Sequence, residues 1–128
     1  MSESDDLLRK ATETLSSAEI LFEADRSTDC VSRAYYAMYQ ATQALLLAHG
    51  FESSSHRGAR MLFGKHFAKT EKVDQRFATS LREAYDARLL ADYSGEVVTN
   101  KQSRQILSDA RAFVTEMERQ LAEKRGNE

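Results

Sequence analysis

The densest set of groups able to act on a charged substrate lies in six residues, Arg88–Tyr93 (RLLADY). Arg88 and Asp92 are four apart, so on a helix they share a face one turn apart, and Tyr93 adjoins them. A guanidinium is planar, permanently charged and bidentate, which suits a phosphate. A carboxylate beside it can orient it or accept a proton, and a phenol adds a hydroxyl to the same place. Arg82 and Asp86 repeat the spacing. The same pattern describes two solvated ion pairs worth a few tenths of a kcal/mol, roughly. Arg ahead of the acid is the weaker order for helix support, which leaves another purpose open for Arg88.

A second candidate is basic. Between His56 and Lys72 stand Arg57, Arg60, Lys65, Lys69 and Lys72 against Glu71 alone, on a chain of formal net charge −2. A cationic segment on an acidic body is a polarised molecule. His56, Arg57, Arg60 and Lys65 would suit backbone phosphates of RNA, or would be surface residues of a basic helix. His49 closes a helix, where a partly positive imidazole suits the dipole. Three histidines and the single Cys30 have no convergent spacing for a metal, and no metal or cofactor is expected. The lone cysteine also excludes an intramolecular disulfide framework. No phosphate-binding glycine motif or G-x-S-x-G nucleophile motif occurs.

The elements that must position these groups are helical. With no Pro, five Gly and 41% hydrophobic residues, the sequence reads as all-α and as one domain over 1–128, with a core of about 5–122. The central helix is expected over Cys30–His49, with Asp29 as N-cap and Gly50 ending it. Val31, Ala34, Met38, Ala41, Leu45 and Ala48 form one face, and Tyr35, Tyr39, Thr42 and Leu46 a second. Tyr36, Met38, Tyr39 and the flanking leucines promise more apolar surface than one bundle covers, hence a homodimer. Before it, a helix from Ser4 or Asp5 to about Ala24 carries Leu8, Ala11, Leu15, Ala18 and Phe22. After it, a short helix from Ser55 is anchored by Ala59, Met61, Leu62 and Phe63, with Gly58 and Gly64 weakening it or marking a break. Asp74–Asp92 is the fourth helix. Thr99 and Gln102 form a capping box for the fifth, whose stripe is Ile106, Ala110, Phe113, Met117 and Leu121. Short connections make this an antiparallel up-and-down bundle of four to five helices. No apolar run approaches the roughly 20 residues of a membrane span. The acidic start is not a signal peptide, so a cytoplasmic location is expected.

Three segments, SRAYYAMYQATQALLLAHG, SSHRGARMLFGKHFAKT and DARLLADY, in this order, resemble the HEPN domain family, in particular its small single-domain prokaryotic members. The resemblance spans about residues 5–120. It implies a dimerising helical bundle. It also implies an association with RNA or nucleotide, because many members are metal-independent ribonucleases with an Arg followed by a His near the dimer interface. Many are toxins paired with a minimal nucleotidyltransferase. Here Arg88 matches the family Arg, but Asp92 stands one turn on and no His follows His66. Tyr93 matches a Tyr that in some pairs receives nucleotide.

Together these imply the HEPN half of a toxin–antitoxin-like pair, weak or silent in catalysis. The alternatives are a noncanonical metal-independent ribonuclease using Arg88 and Asp92, with Tyr93 in the same cleft, and a structural helical adaptor.

Overall fold

The computed structural model describes residues 2–127. Every regular element among them is helical: α1 (Glu3–Glu23), α2 (Ser27–Ala48), α3 (His56–Phe63), a π-helical turn (Gly64–Ala68), α4 (Gln75–Tyr93) and α5 (Asn100–Gly126). This is the all-α bundle expected, with α2 packed against all four other helices.

Local signals set most boundaries. Ser2 and Asp5 form a capping box that starts α1 slightly ahead of the expected Ser4 or Asp5. Asp5 also pairs with Arg125, tying the start of α1 to the end of α5. The link to α2 is tight enough to need Asp25 at φ +61°. It admits α2 at Ser27, so Asp29 lies within the first turn and is not the N-cap; Arg26 occupies that place without a side-chain cap. The acidic side chain still sits at the positive end of the helix. Gly50, at φ +81°, takes the left-handed conformation after the C-cap His49. Ser55, Asp74 and Thr99 cap α3, α4 and α5 through their side chains, and Thr99 with Gln102 completes the expected box.

Both stripes of α2 are buried except at Tyr39 and Ala48, which are half-buried. Val31, Ala34, Tyr35, Met38, Ala41, Thr42, Leu45 and Leu46 are all at most 2% exposed. Alanines at 34, 37, 41 and 44 let neighbouring backbones approach, while each large side chain contributes about 1.5–3 kcal/mol by burial. The expectation of an uncovered apolar face on α2 is therefore wrong. Four helices cover it, Met38 is fully buried, and Tyr36 and Tyr39 are half-buried. The exposed large apolar residues lie elsewhere, at Ile20, Met61, Leu90, Tyr93 and Val97.

α3 crosses the bundle with Ala59 and Phe63 inward. Met61, expected as an anchor, is 62% exposed because it falls on the opposite side of that short helix. At Gly64 the α-helix gives way to the π turn, which keeps Phe67 buried and at 6.0 Å from the Phe63 ring. Gly58 has a different reason. A Cβ there would lie 2.3 Å from Ser53 Oγ and 2.8 Å from Ser55 Oγ, so the capping loop folds onto a bare helix start.

Candidate functional site

Arg88 projects from the last two turns of α4 toward α2, where Ser32 and Tyr36 lie one turn apart. One Nη donates to the Tyr36 hydroxyl at 2.7 Å. Nε is 2.8 Å from Asp92 Oδ2, an ion pair by distance, although the Nε–H is not aimed at that oxygen and has no aligned acceptor. The other carboxylate oxygen of Asp92 accepts from Ser32 at 2.5 Å. The Arg88 side chain is only 12% exposed and that of Asp92 30%, so this is not a solvated surface pair. Burial opposes the charge on Arg88. Tyr36, Asp92 and Tyr93 more than offset it and raise its pKa. The guanidinium lies 5.1 Å from the Tyr36 ring centre, 5.7 Å from that of Tyr93 and 5.9 Å from that of Tyr35. Arg82 and Asp86, which share its sequence spacing, form no ion pair.

The second member of the cluster comes from α3. His56, in the first turn, points back at α2. Its Nδ1 lies 2.5 Å from the hydroxyl of fully buried Tyr35, and its ring stacks on Tyr39 at 4.1 Å. The rings of Tyr36 and Tyr85 approach it at 6.1 Å. Burial, then the charges of Arg88 and Arg60, push its pKa down, so the imidazole is neutral near pH 7. Arg60, one turn on, lies 4.0 Å over the Tyr85 ring. Arg88 and His56, thirty-two positions apart, thus flank one patch of tyrosines.

The remaining predicted residues divide. Arg57 is exposed, and with Arg60, Arg82 and Asp86 it lines a groove between α3 and α4. Lys65 is exposed on the π turn and does not line that groove. Tyr93, 74% exposed, stands at the mouth of the Arg88 cluster. His66 stacks on Phe51 at 4.2 Å, away from the cluster. His49 packs edge-on against Phe67, and burial with Lys124 and Lys72 nearby lowers its pKa. It caps α2 as expected, while its surroundings disfavour the partly positive form expected there. No group of three potential metal ligands occurs among the described residues. A roomier cavity between α1, α2 and the following loop, lined by Leu7, Lys10, Gln43, Leu46 and Phe51, lies apart from both Arg88 and His56.

Sequence reasoning missed Ser32, Tyr36 and Tyr85 as members of the site, and missed that His56 adjoins Arg88. The i, i+4 relation of Ser32 and Tyr36 was available as a signal for one polar stripe. Nothing local in the sequence brings α3 to α4.

The profile described as HEPN domain matches residues 4–120. A Methanocaldococcus jannaschii protein named "Putative toxin MJ0605" is 32% identical over 117 residues, covering 91% of this chain and 87% of that protein. A second from the same organism, "Putative toxin MJ0142", is 33% identical over 101 residues, covering 79% and 69%. A UPF0332 protein of Thermotoga maritima is 37% identical over 90 residues, covering 70% and 67%.

Proposed function

The chain belongs to the HEPN domain family, and from that premise we propose that it is a toxin-like, RNA-directed member that works in the cytoplasm as a homodimer beside a minimal nucleotidyltransferase-type partner. The toxin names of its relatives support the first part and imply an antitoxin. The observation that carries RNA as the target is the Arg88 cluster: a desolvated guanidinium, braced from two sides and surrounded by tyrosine rings. Phosphate meets the charge and nucleobases meet the rings, a combination suited to single-stranded RNA. Arg57 and Arg60 extend the cationic surface along α3, and Lys65 adds a further exposed charge on the π turn that follows. Asp92 spends both oxygens on Ser32 and Arg88, so it acts here by positioning Arg88. An inert adaptor has no need of a half-buried Arg so held. Tyr93, 74% exposed at the mouth of the cluster, is surface that a second subunit would cover, and Leu90 and Val97 add exposed apolar surface to a separate cleft between α4 and α5.

The test is Arg88→Lys, assayed for binding to single-stranded RNA and for growth arrest on expression without a partner. Losing a bidentate clamp of about 2 kcal/mol weakens binding roughly 30-fold while the helical spectrum is kept. The reading fails if Arg88→Lys binds as the wild type does. It also fails if the wild type neither binds RNA nor slows growth.

A further inference from the structure

Independently of the RNA-directed reading, we propose that the cleft between α4 and α5 docks an extended, apolar segment of a partner protein, flanked by lysine or arginine. After Ala84 no residue of α4 is fully buried. The second half of this helix turns Arg88 and Asp92 toward α2, and Ala87 and Leu90 toward α5 and the loop that joins the two helices. With Val97, Val98 and Ile106 these two line a cleft of about 280 Å³, apart from the Arg88 cluster. Leu90 is 50% and Val97 84% exposed, so the edge of the cleft keeps large apolar side chains in water.

Charge and backbone together say what would fill it. Glu83 and Glu96 line the cleft and no cation does. Neither carboxylate has an ion partner among the described residues. Asp109, which accepts from Gln105 at 2.9 Å, adds a third acid on that side. A cationic flank meets these charges, whereas a second copy of the cleft would bring like charges together and RNA phosphates would be repelled. From Glu96 to Thr99 the chain is neither helix nor turn, and Val97, Val98 and Thr99 are β-branched residues that favour extended chain. The Glu96 N–H donates to Ser94 Oγ and the Thr99 N–H to Gln102 Oε1. Between them the backbone N–H and C=O groups of Val97 and Val98 have no partner among the described residues. Such an unpaired run is a template for main-chain pairing, and the apolar side chains of the added segment then reach Leu90, Val98 and Ile106. The segment is pinned at both ends, by Ser94 and by the Thr99–Gln102 box, so little further ordering is needed on binding. Leu90 and Tyr93 are three apart on α4, so the occupant would lie beside the mouth of the Arg88 cluster.

The experiment follows the amide spectrum of the full-length protein during titration with a capped peptide of valines carrying lysines at both ends. A peptide with glutamates in place of the lysines is the control. Shifts are expected to concentrate at Leu90, Val97, Val98 and Ile106, with the Val97 and Val98 amides moving downfield as they gain acceptors. The glutamate-flanked peptide should bind at least about tenfold more weakly. Glu83→Gln with Glu96→Gln should weaken the lysine-flanked peptide about fivefold at low salt and by less at high salt. Val97→Pro removes one N–H from the run and should weaken it about fivefold, with the helical spectrum kept. The proposal is overturned if the two peptides bind alike, if the shifts fall outside the cleft, or if none appears up to about 1 mM peptide. It is also overturned if Val97→Pro binds as the wild type does, since the pairing is then not through the main chain. Shifts at the same residues on diluting the free protein would show that a second copy covers the cleft, and would likewise overturn it.

Discussion

Tyr36→Phe removes one oxygen and tests how Arg88 is held. That hydroxyl accepts the directed hydrogen bond of the guanidinium, at 2.7 Å, whereas the nearby Asp92 contact lacks alignment at Nε. A hydrogen bond to a charged group contributes about 1.5–3 kcal/mol. Arg88 retains 12% exposure and some access to water, so the lower end, about 1.5 kcal/mol, applies. With a urea m-value of about 1.5 kcal/mol/M, the midpoint of unfolding should fall by roughly 1 M. Tyr39→Phe is the control. Its hydroxyl accepts only from Gln43, at 3.2 Å, a neutral and longer contact that should cost about 0.5 kcal/mol. Combining Tyr36→Phe with Arg88→Met in a double-mutant cycle should return a coupling of about 1 kcal/mol. A coupling indistinguishable from zero, with Tyr36→Phe no worse than Tyr39→Phe, would refute the claim that α2 braces Arg88.

Other outcomes follow from the same geometry. His49 and His56 both have pKa values lowered from 6.5, so as pH falls below 6.5 the unfolded chain takes up protons first and stability falls; carboxylates join only below about 4.5. Urea midpoints from pH 7 to 5 should show this loss, and His49→Gln with His56→Gln should flatten it. Gly58→Ala should cost about 1 kcal/mol or more in thermal melts, because the new methyl strikes the Ser53 and Ser55 hydroxyls and breaks the α3 cap. Replacing Arg57, Arg60 and Lys65 by Ala should weaken RNA binding alike across sequences and flatten its dependence on salt, as measured by titration at several salt concentrations. Cys30, fully buried with its thiol pushed up to about 11 by desolvation, should resist alkylation in the native protein and react fully in denaturant.

What the sequence determined by itself is local or periodic. The α5 stripe of Ile106, Ala110, Phe113, Met117 and Leu121 is buried as a 3.6-residue period requires, and the Thr99–Gln102 box stands where its residue types put it. Arg88 and Asp92 were legible as a pair because they are four apart on one helix. The start of α2 was misread since the strained turn at Asp25, and not a capping side chain, decides where that helix begins. The apolar face of α2 was misassigned because periodicity tells which side chains seek cover, never how many helices arrive to provide it. Tyr36 and Ser32 reach Arg88 and Asp92 only because α2 and α4 pack side by side. His56 joins them because the first turn of α3 packs against α2, where it meets Tyr35 and Tyr39. Contacts across 21 and 52 residues depend on how helices are placed against one another, and that placement is set by the volume of the whole core and not by any window of the chain.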